Sequence, residues 1–158
     1  MIIVSGLLKI MQTEAAMRIL IVDDDFAIRK VISIWLRKAG ESDMAENGKE
    51  AVEFAIKAYE EGRPYDLMCL DIMMPVMNGL DALKNIRKYE KSIGIEGGAG
   101  LKVIMATAAS NPKSIMGAFN EQCEAYLVKP IEEEELFATI KKLGLELPQP
   151  QVPPLQQQ

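Results

Sequence analysis

The chain of 158 residues contains no histidine. That absence excludes a Ser-His or Cys-His catalytic pair and any histidine-ligated metal, so chemistry here rests on carboxylates, hydroxyls and lysines. Cysteine is nearly absent as well: Cys69 and Cys123 stand alone, each in an apolar stretch. Two thiols so placed do not make a disulfide framework; they point to a reducing compartment, with the cytoplasm as the expected location. Basic residues are in deficit, 18 against 23 acidic for a net charge of -5. No cationic excess is left to neutralise a phosphate backbone, and direct nucleic-acid binding is not expected. Long hydrophobic runs are missing too. The most apolar segment near the start, residues 1–11, is broken by Ser5, Gly6 and Lys9, and it is far shorter than the roughly 20 residues a spanning helix requires. No membrane partner is expected. What remains, 49% hydrophobic and 26% charged, fits one ordinary globular domain.

The two ends differ from the middle. Residues 1–16 lack the basic start and small-residue cleavage site of a secretory signal and run into a strand-like segment. They read either as an arm upstream of a functional start at Met17 or as a native, weakly ordered arm. Residues 147–158, LPQPQVPPLQQQ, carry prolines and glutamines without an apolar period, the composition of a disordered tail. The folded domain is therefore expected over residues 17–146.

Within it, four short apolar runs at residues 19–22, 67–70, 103–106 and 125–128 are continuous rather than alternating, the pattern of parallel strands covered on both faces. A weaker fifth candidate lies at residues 42–45. Helical patterns fill the gaps. Ile28, Val31, Ile32, Trp35 and Ala39 recur at helical spacing opposite Arg29, Lys30, Arg37 and Lys38, and Gly40 ends the pattern. Asn47 with Glu50 makes a capping-box-like start for a second helix burying Ala51, Val52, Ala55 and Tyr59. Asn78 and Gly79 start a third, with Leu80, Leu83 and Ile86 inward. Asn111 before Pro112 opens a fourth, carrying Ile115 and Phe119. The fifth has acids from Glu132 to Glu135 in its first turn and Lys141 and Lys142 in its last, matching the helix dipole at both ends. Regular alternation of strand and helix predicts an α/β fold: a doubly wound, five-stranded parallel sheet with helices on both faces.

In such sheets ligands bind beyond the carboxyl ends of the strands, where the strand order reverses. Asp23, Asp24 and Asp25 follow the first run, Asp71 follows the strand at 67–70, Thr107 the next, and Lys129 and Pro130 the last. Singly, each has an ordinary reading. An aspartate after a strand is commonly a helix cap, the expectation for Asp25, and Thr107 or Lys129 alone is an unremarked strand-end residue. Their conjunction in this order carries the functional argument.

The segments IVDDD, LDIMMPVMNG, MATA and YLVKP, in that order, resemble the receiver domain of bacterial two-component response regulators, over residues 17–145. The resemblance implies the flavodoxin-like strand order 2-1-3-4-5 and a stand-alone signalling protein rather than an enzyme. It implies Asp71 as phosphoacceptor and Asp23 and Asp24 as an acidic pair holding Mg2+, with the main-chain carbonyl of Met73 as a further ligand. Thr107 matches the switch hydroxyl, Lys129 the lysine before proline, and Tyr126 an aromatic whose rotamer follows phosphorylation; core packing remains the alternative for Tyr126. The implied donor is a phosphohistidine on a sensor histidine kinase or phosphotransfer protein. The implied target is a downstream protein bound through the fourth helix, fifth strand and fifth helix, including Phe119, Tyr126 and the exposed side of Lys141.

The residue types suit this chemistry independently of the name. Three carboxylates within about 5 Å repel one another by several kcal/mol per pair at an effective dielectric near 20. A hard divalent cation removes that penalty, and magnesium takes one or two carboxylates plus waters and a phosphate oxygen, which suits Asp24 and Asp71 directly and Asp23 through water. Asp71 can then attack phosphorus as a carboxylate nucleophile, with the Lys129 ammonium a point charge for phosphate oxygens.

Two positions depart from the chemotaxis members of the family. Met73 and Ala109 are apolar where relatives often carry amide or acidic side chains that orient the attacking water, which implies slow hydrolysis of the acyl phosphate. Ala109→Glu is expected to shorten the phosphorylated lifetime; an unchanged lifetime would count against this. Cys123 stands where the family often has glycine. The glycine-rich segment 88–100 lacks a following Gly-Lys-Ser/Thr and reads as a flexible surface insertion rather than a phosphate loop. Two other function classes compete. A magnesium-dependent aspartyl-phosphate phosphatase or phosphomutase typically needs a second aspartate two residues after the nucleophile, where Met73 stands. A degenerate receiver acting as a phosphorylation-independent interaction module is disfavoured by the intact set of Asp23, Asp24, Asp71, Thr107 and Lys129.

Overall fold

The structure, a computed structural model, describes residues 16–108 and 122–148. Five strands, β1 (Met17–Val22), β2 (Gly40–Ala45), β3 (Leu67–Asp71), β4 (Lys102–Thr107) and β5 (Ala125–Val128), form one sheet in the order β2-β1-β3-β4-β5. Every neighbouring pair is parallel. The described helices are α1 (Phe26–Leu36), α2 (Gly48–Glu60), α3 (Gly79–Ser92) and α4 (Glu133–Lys142); α4 is the fifth helix of the sequence reading. The helix expected from Asn111, with Ile115 and Phe119, lies outside the described residues, as does Ala109.

The continuous apolar runs of β1, β3 and β4 are explained by burial on both sheet faces, whereas in β5, at the sheet edge, Tyr126 and Val128 are exposed. Successive side chains of a strand point to opposite faces. In β1, Leu20 and Val22 join one core with Ala51 and Ala55 of α2 and Leu83 and Ile86 of α3. Ile19 and Ile21 join the other, with Ile32 and Leu36 of α1 and Leu136 and Ile140 of α4. Leu145 and Leu147 also pack against this second core. From β1 the chain steps outward to β2, then crosses back to β3 on the other side of β1, so the winding reverses between β1 and β3. That reversal leaves a crevice at their carboxyl ends.

Helix boundaries follow local chemistry. Asp25 caps α1 by accepting hydrogen bonds from the Ala27 and Ile28 amides at 2.8 and 3.4 Å. Asn47 and Asn78 cap α2 and α3 through the amides of Glu50 and Asp81. Among described helices no span is long and apolar enough to cross a membrane.

The structure corrects three readings of the sequence. The inward face of α1 is carried by Arg29, Ile32, Ser33 and Leu36; Val31 is exposed and Ile28 and Trp35 are half-buried. Helix-period counting sorted the faces by polarity, whereas the packing buries Arg29 for its hydrogen bond. Strand β2 begins at Gly40, two residues before the predicted start, because this glycine pairs with Met17 at a spacing where any Cβ would collide with the Met17 carbonyl. Residues 88–92 of the supposed insertion are the last turns of α3, held there because Glu90 is buried and accepts the Leu101 amide at 2.8 Å.

Candidate functional site

The crevice at the reversal point collects the strand-end residues. Asp23 follows β1, Asp71 ends β3 opposite Ala106 of β4, and Thr107 ends β4 opposite Val128 of β5. The Lys129 amide donates to the Thr107 carbonyl at 2.8 Å, extending the β4–β5 ladder by one step and bringing the lysine to the pocket. Carboxylate oxygens of Asp23, Asp24 and Asp71 lie within 4.8 Å of one another. Asp23, Asp71 and Thr107 are buried, and Asp24 is exposed.

Lys129 ties two of these acids together. Its ammonium donates to Asp23 Oδ2 at 2.8 Å and pairs with Asp71 Oδ1 at 3.2 Å. The other Asp23 oxygen accepts the Asp25 amide at 2.9 Å. Asp71 is only 4% exposed. Burial, and after it the Asp23 charge, push its carboxyl above the usual range, more than Lys129 pulls it back. For Lys129, burial works to lower the pKa, but the hydrogen bond to Asp23 and the charges of Asp71 and Asp23 outweigh it and the ammonium is stabilised.

The loop between β3 and α3 is fixed from both ends. The Ile72 amide donates to Ala106 at 3.0 Å and the Gly79 amide to Ile72 at 2.8 Å. Gly79 packs so closely on the Asp71 carbonyl that a Cβ there would overlap it. Between them Met73 and Val76 are exposed, 73% and 79%, and Val76 has φ of 69°. Tyr126 is also exposed, on β5.

Of the sequence-derived candidates, Asp23, Asp24, Asp71 and Lys129 thus meet in one pocket, and Thr107 ends the strand beside it. Asp25, third in the acidic run, serves as a helix cap. Sequence reading missed Arg29. Its guanidinium donates to the Asp23 main-chain carbonyl at 2.5 Å and no periodicity signal marks it. Also missed was a partly buried cluster at the other end of the sheet, where Arg87 meets Glu90 at 2.8 Å and Glu124 at 3.1 Å. The i,i+3 spacing of Arg87 and Glu90 was a visible hint; nothing local marked Glu124 as their partner.

The donor set fits a hard divalent cation. Three carboxylates lie together, the Lys129 ammonium pairs with two of them, Asp23 and Asp71, and all ligand atoms are oxygens.

Comparison with known proteins agrees with this geometry. Residues 19–141 match the response regulator receiver domain, and the chain belongs to that family, which is one of signalling domains. It is 32% identical over 129 residues to chemotaxis protein CheY of Thermotoga maritima, covering 80% of this chain and 97% of that one. It is 35% identical over 126 residues to the probable transcriptional regulator ycf29 of Porphyra purpurea, covering 79% of this chain and 55% of that one, so it spans about half the length of that relative. Among solved structures, response regulator TrrA of Thermotoga maritima, in complex with Mg2+-BeF, is 38% identical with a TM-score of 0.62, over 80% of this chain and 98% of that one. The receiver domain of Ssk1 from Saccharomyces cerevisiae, co-crystallised with the histidine phosphotransfer protein Ypd1, is 29% identical with a TM-score of 0.69, over 82% and 90%.

Proposed function

We propose that this chain is a response regulator that accepts a phosphoryl group on Asp71, delivered by a sensor histidine kinase or phosphotransfer protein, and signals by presenting a changed surface to a protein target. The observation that carries the reading is the meeting of the Asp23, Asp24 and Asp71 carboxylates with the Lys129 ammonium at the carboxyl ends of β1 and β3. Asp23, Asp24 and Asp71, with the Met73 carbonyl, would hold Mg2+, which supplies positive charge against the phosphoryl oxygens.

The chain's own groups do the remainder. Asp71 is the nucleophile: one carboxylate oxygen forms the new O–P bond as the P–N bond of the donor breaks, its electron pair returning to the ring nitrogen. Lys129 holds Asp71 and Asp23 in place and offers its charge to the incoming phosphoryl oxygens. Thr107, at the end of β4, is the hydroxyl that a phosphoryl oxygen on Asp71 would engage, and Tyr126 is the side chain whose packing would change with that loop. Target binding falls to β5, α4 and the helix expected from Asn111. Met73, apolar and exposed two residues after Asp71, offers no general acid, which sets the phosphatase reading aside. The receiver unit is assigned to residues 17–146 and the protein to the cytoplasm; the arm expected over 1–16 and the tail expected over 147–158 lie almost wholly outside the described residues, and Leu147 packs on the second core.

Incubation with acetyl phosphate and Mg2+ followed by intact-mass measurement tests the core of this reading. The expected result is a mass gain of one phosphoryl group that requires the cation and is lost in Asp71→Asn. No gain, or a gain that persists in Asp71→Asn, overturns it; the former is the result a degenerate receiver would give.

A further inference from the structure

Arg29 is the one basic side chain of α1 that the fold buries, at 9% exposure. Burying a guanidinium is costly unless its donors are used. Among the described residues its hydrogen-bond acceptor is the main-chain carbonyl of Asp23 at 2.5 Å, while Phe26 lies against it, the guanidinium carbon 5.5 Å from the ring centroid. Phe26 itself is 63% exposed.

That carbonyl is the pivot of the acidic turn. The Asp23 amide still belongs to the sheet, donating to Ala45 at 3.2 Å. One residue later the chain must leave the strand, and the side-chain oxygen of Asp23 takes the Asp25 amide at 2.9 Å. The direction of the Asp23 carbonyl fixes the plane of the peptide joining Asp23 to Asp24. It therefore sets where Asp24 begins, and Asp24 is the one carboxylate of the three that is exposed. Lys129 restrains the side chains of Asp23 and Asp71 at 2.8 and 3.2 Å, but it has no hold on that peptide plane.

We infer that Arg29 is a positioning residue for the cation site: through the Asp23 carbonyl it orients the peptide that carries Asp24 toward Asp23 and Asp71. This rests on the proposed Mg2+ site. A binding site assembled before the cation arrives loses less affinity to ordering than one assembled by the cation, so the role appears in affinity first and in the phosphorylated end state least.

The test is a set of Mg2+ titrations of the full chain, followed by Trp35 fluorescence and checked by calorimetry, on the wild type, Arg29→Met and Arg29→Lys. Arg29→Met keeps the apolar stem and removes the donor; Arg29→Lys keeps a charge and a donor. The expected result is a dissociation constant raised about tenfold in Arg29→Met and largely restored in Arg29→Lys, with phosphorylation by acetyl phosphate returning close to the wild-type rate at saturating Mg2+. A merely structural arginine would lower Tm and leave the affinity of the folded fraction alone. An affinity within twofold of wild type in folded Arg29→Met, or no rescue by Arg29→Lys, overturns the inference. Should Arg29→Met not fold, Arg29→Gln is titrated in its place under the same criterion. Absence of Mg2+ binding by the wild type would instead refute the underlying site.

Discussion

Asp71 sits where its own charge is resisted. Burial and the neighbouring Asp23 carboxylate raise its pKa in spite of Lys129. A carboxyl whose pKa is higher folded than unfolded binds its proton more tightly in the folded state. Stability therefore rises as pH falls through that folded value towards the ordinary carboxylate range, and the ionised group costs stability at neutral pH. Asp71→Asn removes this cost while keeping an oxygen for Lys129. Without divalent cation at neutral pH the variant should melt higher, by about 3 °C, and the gap should close as pH is lowered towards about 4. Thermal melts across that range decide it; a variant no more stable than wild type at neutral pH removes the electrostatic argument. The residues of the pocket were legible because each stands directly after an apolar run, and Asp25 was legible as a cap for the same reason. Arg29 was not. Polarity alone assigns an arginine to the wet face, and only the path of the turn after β1 reveals an inward acceptor waiting for it. Cys69 is buried as its apolar neighbours suggested, whereas Cys123 is only half-buried. They are free thiols, Cys69 pushed up to about 12 by burial and Cys123 raised by burial and then by Glu124.

At the scale of elements, strands and helix starts follow from patterns of few residues, and the five-strand parallel sheet was readable on that basis. The connection between β3 and α3 was not, because its conformation is dictated by two long-range anchors, the Ile72 amide on Ala106 and the Gly48 amide on Met77, together with the bond of the Gly79 amide to Ile72 that closes the loop. Between these points Val76 is the centre of a tight turn closed by the Met77 amide on the Pro75 carbonyl at 2.8 Å and has φ of 69°, a positive φ that costs an L-residue about 1–2 kcal/mol and a β-branched one no less. Its side chain is 79% exposed, so little burial offsets the strain. Asparagine tolerates this region better and, unlike glycine, does not greatly enlarge the freedom of the unfolded chain. Val76→Asn is therefore expected to stabilise the fold by about 1 kcal/mol, read as a higher urea midpoint with an unchanged slope. A lower midpoint would mean that Val76 makes contacts worth more than the strain.

At the scale of the molecule, two charged clusters occupy opposite ends of the sheet. At the carboxyl ends of the strands, carboxylates crowd around one lysine. At the other end of β4 and β5, charge is fully used: Arg87 donates to the Leu101 and Gln122 carbonyls at 2.8 and 2.7 Å as well as to Glu90 and Glu124. Glu90 in turn accepts from Tyr59 at 2.5 Å and from the Leu101 amide at 2.8 Å, and Glu124 from the Val103 amide at 2.6 Å. One network thus joins α2, α3, β4 and the approach to β5. Tyr59 records it, its hydroxyl held protonated by burial and by the Glu90 bond. Removing the arginine leaves Glu90 and Glu124 buried or half-buried without their cation, and a buried pair broken on one side costs about 3 kcal/mol. Arg87→Ala should lose that much in urea denaturation while acetyl phosphate still modifies Asp71 at a rate within about twofold of wild type, since β4 separates the two ends. Asp71→Asn should do the reverse, gaining stability and losing modification. Because the sites share no partner among the described residues, the double variant should show the sum of the two stability changes to within about 0.5 kcal/mol. A larger departure would show that the network and the acidic pocket are coupled through β4 and that the division between them fails.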